Sequence, residues 1–91
     1  MPEAWVRHVL RRSDVDDARL RRRILVIVVT TRAAAASLRP GDGQVDAAVR
    51  RGIQLLDGLA AEVETDGSAQ TREELTQSRR ELESLLNEGS A

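Results

Sequence analysis

The stretch "RLRRRILVIVVTTRAAAASLRPG", residues 19–41, decides how the rest of the chain is read. Four arginines in five residues lead into six consecutive large apolar residues, Ile24 to Val29. A small-residue tract and a Pro-Gly stop follow. A membrane-spanning helix needs about 20 mostly apolar residues. Residues 24–38 supply fifteen positions, and Thr30, Thr31 and Arg32 interrupt them. A signal peptide would place its basic and apolar regions at the start of the chain. Here more than twenty residues come first, four of them acidic. A strand is the stronger rival, because β-branched residues dominate the run. No second strand is legible, however. A strand pairing with its own copy, as in ribbon-helix-helix DNA-binding proteins, would present only apolar side chains to the bases. The alanines after Arg32 and the cap signals upstream support a helix.

Outward from this stretch, "SDVDDARL" places Ser13 three residues before Asp16, a capping-box-like start with acids in the first turn. Asp16–Arg19 and Asp17–Arg21 stand at the i+3 and i+4 spacings of helical ion pairs. Leu20, Ile24, Ile27, Thr31, Ala34 and Leu38 form one seam, flanked by Val28 and Ala35, and Pro40-Gly41 ends it. A second stripe, Leu25, Val26 and Val29, lies off that seam, so the helix is expected to bury two sides. Before it, Pro2 and the spacing of Trp5, Val6, Val9 and Leu10 suggest a short separate helix. That helix is too short to stand without docking.

Asp42 is placed to cap the next helix. Its seam runs Val45, Val49, Gly52, Leu56, Leu59 and Val63, widened by Ala48, Ile53, Leu55 and Ala60. A glycine in the middle of such a seam costs roughly 1 kcal/mol of helix stability, and it implies a close neighbouring helix. "TDGSAQ" is a loop, and Thr71 with Glu74 reads as a second capping box. The last helix carries Leu75, Leu82, Leu85 and Leu86 on one side, with Gly89 as its stop.

The fold class expected is therefore all-α: a single domain, residues 1–91, built as a small antiparallel bundle. Its helices span about 2–11, 14–38, 43–64 and 72–88. Ninety-one residues bury a modest fraction of their surface, and no cysteine is present to staple them. Self-association is the remaining common way to gain core. The stripe Leu25, Val26 and Val29, together with Trp5, is the interface expected for it, with a homodimer or another protein as partner. In the competing arrangement the N-terminal helix folds back and covers the stripe through Trp5, Val9 and Leu10.

Charge is unevenly distributed. Residues 1–40 hold nine arginines against four acids, and residues 41–91 hold five against eleven. The two halves are expected to neutralise each other, within the fold or across a dimer. Lysine is absent, so every cation is a guanidinium suited to bidentate pairing. Arg11, Arg12, Arg19, Arg22 and Arg23 are the candidate anion- or partner-binding residues. They also carry the alternative reading, a small helical nucleic-acid-binding regulator or antitoxin.

Reactive chemistry is poorly provided for. The chain has one histidine, His8, no cysteine and one aromatic residue. The usual zinc and di-iron ligand sets are missing, as is a glycine-rich phosphate loop. No catalytic residue, metal or cofactor is expected. The class best matched is a non-enzymatic, cytoplasmic protein-interaction module: an adaptor, an assembly piece or an inhibitor-type protein. It has no membrane contact.

Overall fold

The computed structural model describes the backbone of residues 2–39 and 43–90 and the side chains of residues 14–39 and 43–86. The described residues form three helices: α1 (Pro2–Ser37), α2 (Gln44–Asp66) and α3 (Ala69–Ser90). They pack as an all-α bundle about 62 Å long and 15–18 Å across. Arg23 meets Glu62, and Thr31 lies against Gly52, so α2 runs antiparallel to α1. Arg21 meets Glu74 and Arg32 meets Glu81, so α3 runs parallel to α1.

Two expected helices are one. The chain stays helical from Pro2 through Ser13 to Ser37, without the break expected after residue 11. "LRRSDVDD" contains no proline or glycine, and a serine inside a helix costs only a few tenths of a kcal/mol. Arg12 and Asp16 also stand at the i,i+4 spacing that supports continuation. A continuous helix cannot double back onto its own side, so the N-terminal segment does not fold over the Leu25 stripe. Trp5 lies outside the residues whose side chains are described.

Other boundaries shift for local reasons. Helix α1 stops at Ser37, with Leu38 N–H donating to the Ala35 carbonyl at 3.3 Å. The residue before a proline, here Arg39, is disfavoured in helical geometry, and the helix ends one residue short of the expected Leu38. Asp42, the expected cap of α2, lies outside the described residues. Gly43 occupies the cap position at φ +75°, a backbone conformation suited to glycine, and no side chain caps it. Helix α3 begins at Ala69, three residues earlier than expected, because Ser68 is its cap: Thr71 N–H donates to Ser68 Oγ at 3.2 Å. The Thr71–Glu74 box therefore does not form. Helix α3 also runs through Gly89 to Ser90, so Gly89 is not its stop.

The core is almost wholly aliphatic. Val49, Ile53, Leu56, Leu59 and Val63 of α2 join Leu20 and Ile24 of α1 and Leu82 of α3. Leu75, Leu85 and Leu86 pack partly buried against them. Full burial of Leu56 or Leu82 contributes about 2 kcal/mol each by transfer from water. On α1 the buried line is Leu20, Ile24, Val28 and Thr31, with Ile27 and Ala35 half-buried and Ala34 exposed. The buried line thus passes through Val28 and Ala35 rather than Ile27 and Ala34.

Gly52 is where α1 and α2 approach most tightly. A methyl group added there would lie 2.7 Å from Thr31 Cγ2 and 3.0 Å from Thr31 Cβ, and closer still to its Oγ1. Thr31 is buried and β-branched, so its rotamer has little room to yield. Gly52→Ala should gain about 1 kcal/mol of helix propensity and lose about 2–3 to overpacking. A net destabilisation of about 1–2 kcal/mol is expected in urea unfolding. Adding Thr31→Ala to that variant should restore part of the loss, and strict additivity of the two changes would contradict the contact.

Candidate interaction surface on helix α1

Helix α1 sorts its charged side chains by direction. On the inward side, Asp17 reaches the start of α3. Its Oδ1 accepts from Ser68 N–H at 2.7 Å and from the Thr71 hydroxyl at 2.7 Å, and its Oδ2 accepts from the Ser68 hydroxyl at 3.3 Å. Thr71 is completely buried beneath this cluster. An acid on the cap residue's N–H is the reciprocal half of a capping box. Here another helix supplies it, at the end of α3 where the dipole favours an anion. The Ser68 N–H and then the Thr71 hydroxyl hold the Asp17 carboxyl below the usual carboxylate range.

One turn on, Arg21 forks onto Glu74, with Nη2 to Oε1 at 2.9 Å and Nε to Oε2 at 3.3 Å. That bond raises the already high pKa of the guanidinium. Arg23 meets Glu62 of α2 at 3.5 Å and Arg32 meets Glu81 of α3 at 3.1 Å. Within the acidic half, Arg79 bridges Asp57 of α2, at 2.8 Å, and Glu83 of its own helix. No ion pair closes at either expected spacing, Asp16–Arg19 or Asp17–Arg21, although Asp17 and Arg21 attract each other through space. Their members are drawn to other helices or left in solvent. The excess charge of α1 is partly answered by α2 and α3, and each exposed pair is worth about 1 kcal/mol or less.

Beyond the exposed Arg19 and Arg22, the outer side of α1 from Leu25 onward is apolar. Leu25, Val26 and Val29 are 62%, 52% and 55% exposed. The single chain leaves this second stripe uncovered. Val15 lies on the same side and is also largely exposed. Toward the end of the helix this side continues as Ala33, Ala36 and Ser37, all exposed, while Thr30 and Ala34 turn toward α2. From Leu25 to Ser37 the only charged residue is Arg32, and it is turned to Glu81. Beside this face a groove of about 420 Å³ opens between α1 and α2, lined by Thr30 and Ala34 of α1 and by Ala47, Ala48, Leu55 and the charged Arg51 of α2. Leu55, expected to widen the apolar face of α2, is half exposed there.

A second groove, of about 750 Å³, lies between α1 and α3. Arg21, Arg22, Leu25 and Val28 line its α1 wall, while Glu73, Gln77 and Glu81 make its α3 wall polar.

Of the candidate arginines, Arg23 is engaged with Glu62. Arg19 and Arg22 are exposed and make no ion pair within the described residues. Arg11 and Arg12 lie outside the residues whose side chains are described. Sequence reasoning missed Leu55 as an exposed residue and Asp17 as an inter-helix cap. No periodicity signals either one, because Leu55 depends on the width of the α1 contact and Asp17 on where α3 begins.

Among the described residues no three His, Cys, Asp or Glu side chains come together to hold a metal ion. No described helix is long and apolar enough to cross a membrane. No family model, curated protein or solved structure matches the chain.

Because its folded pKa is lowered, Asp17 contributes stability that is fully present above the ordinary value of 3.8. That contribution is lost as pH falls through the lower folded value. The stability difference between the native chain and Asp17→Asn should therefore be constant near neutral pH and shrink in acid below 3.8. Urea unfolding across a pH series measures it, and a gap that widens in acid would refute the assignment.

Proposed function

We propose that this chain is a non-enzymatic protein-interaction module that self-associates through the outer face of α1. The observation that carries this reading is the exposure of Leu25, Val26 and Val29 as one contiguous stripe on a well-packed helix. Single exposed apolar side chains are ordinary, but a contiguous patch free of charge marks an interface. The size of the chain points the same way. A bundle of 91 residues without cysteines has little core of its own, and association adds to it. The ion pairs that α1 makes to α2 and α3 add further support. They turn its inner charges away from the stripe and leave the outer face free to pack.

The nucleic-acid reading has less behind it. Arg23 is paired with Glu62, and Arg19 and Arg22 flank an apolar surface rather than a continuous basic groove. Trp5 is the one Trp, Tyr or Phe in the chain, which leaves little for base stacking.

Light scattering behind a sizing column tests the proposal. The native chain is expected to elute as a dimer at micromolar concentration. Val29→Asp should shift it to a monomer while circular dichroism keeps its helical signal. A monomeric native chain, or a Val29→Asp dimer, would overturn the reading.

A further inference from the structure

The turn between α2 and α3 carries a reactive pair of residues. Asp66 ends α2, and Gly67 follows it. Glycine has no side chain to hinder its nitrogen, so that nitrogen can attack the carboxyl of a preceding aspartate. Asp66 is exposed to solvent. Glycine is also the residue that fits here, because a Cβ on Gly67 would lie 2.6 Å from the Val63 carbonyl oxygen.

Two hydrogen bonds keep the pair from reacting. The Gly67 N–H, the group that would attack, donates to the Val63 carbonyl at 2.9 Å. The Ser68 N–H, one residue on, donates to Asp17 Oδ1 at 2.7 Å. Asp66 is the last helical residue of α2, and helical rotation about its Cα–C bond turns the Gly67 nitrogen toward Val63 and away from Cγ. For the nitrogen to reach Cγ, that bond must rotate and carry Gly67 and Ser68 with it. Both hydrogen bonds then break. We infer that the α2–α3 turn is a latent site of aspartate isomerisation at Asp66, and that Asp17 of α1 guards it.

The reaction needs no enzyme, oxidant or cofactor. The Gly67 nitrogen bonds to Asp66 Cγ, and the side-chain hydroxyl leaves with the amide proton as water. A five-membered succinimide ring results. Water then adds at the main-chain carbonyl carbon of Asp66 and breaks its bond to the nitrogen. The product has the same atoms as the starting chain. Its main chain now runs through Cβ and Cγ, and its α-carboxylate is free.

That main chain is one methylene longer between α2 and α3. In the native turn Ser68 meets two demands at once: its N–H reaches Asp17, and its hydroxyl accepts from Thr71 N–H at 3.2 Å. The added methylene shifts Ser68 from that position. An opening of the turn that lasts until the ring closes is therefore recorded covalently, and α3 does not return to its original register. How often the turn opens locally sets the rate. The device lies on the α3 side of α1 and is independent of self-association through the outer face.

Peptide mapping by mass spectrometry during warm incubation near neutral pH measures isoaspartate at each site. The chain's other Asp-Gly pair, Asp42–Gly43, serves as reference in the same digest. In urea the two pairs should react at similar rates. In the native chain Asp66 should react about tenfold or more slowly than in urea, because two hydrogen bonds must open first. Asp17→Ala should raise the native rate at Asp66 about tenfold and leave the rate in urea unchanged. Ser68→Ala removes only the hydroxyl's bonds and should give a smaller rise, which serves if Asp17→Ala does not fold. Gly52→Ala weakens the bundle away from the turn and should have much less effect than Asp17→Ala. A native rate equal to that in urea overturns the inference, as does one that neither Asp17→Ala nor Ser68→Ala raises. An equal rise in Gly52→Ala overturns it too, since the turn would then open only with the whole bundle.

Discussion

At Gly52 the α2 backbone presents no side chain, and Thr31 of α1 occupies the space. The geometry of the bundle follows from that contact. Once α1 and α2 touch there, Leu20 and Ile24 are brought down onto Leu56, Leu59 and Val63, and the α1–α2 layer becomes the principal interior. Two helices with large residues at the crossing would stand apart and leave the short aliphatic side chains unable to meet. With no phenylalanine or tyrosine in the chain, close approach substitutes for side-chain volume.

Helix α3 is attached by a different kind of bond. Leu82 enters the core and Leu75, Leu85 and Leu86 pack at its edge, while polar groups position the helix against α1. Asp17 holds the Ser68 cap and Thr71, Arg21 holds Glu74, and Arg32 holds Glu81. Such contacts fix register more than they add stability, because exposed ion pairs contribute little and the hydrogen bonds to Asp17 exchange for bonds to water. The α1–α3 side stays open as a groove, and the outer face of α1 remains uncovered beside it. The same long helix thus organises the interior on one side and presents a bare apolar surface on the other.

Much of this was legible in the order of residues. The α2 seam, Val49 through Val63, is buried as its spacing requires, and Gly52 lies under a neighbouring helix as its place in that seam implies. The four leucines of α3 turn to the core. Of the candidate surface, Leu25, Val26 and Val29 were picked out by lying off the main seam. Leu55 was not, because by periodicity it belongs to the edge of the α2 seam, and only the width of the α1 contact leaves it outside. The ion pairs were misread for a related reason. Spacing along one helix offered Arg21 a partner in Asp17, whereas packing offered both residues better ones on α3. The helix start expected at Ser13 also failed. A serine ahead of acids resembles a cap, but with no helix breaker before it the preceding turns simply continue.

The sequence by itself determined that the chain is helical, which residues make its apolar seams, and that reactive side chains are scarce. Those properties follow from periodicity and composition, which act over a few neighbouring residues. Tertiary structure decided which acid each arginine meets, where α3 begins, and which of the two apolar stripes of α1 is covered. These outcomes depend on distances between residues about 20–55 positions apart, fixed only when α1 and α2 close over Gly52 and α3 settles on Asp17. A seam can be read from one helix, but its burial requires a second helix to arrive.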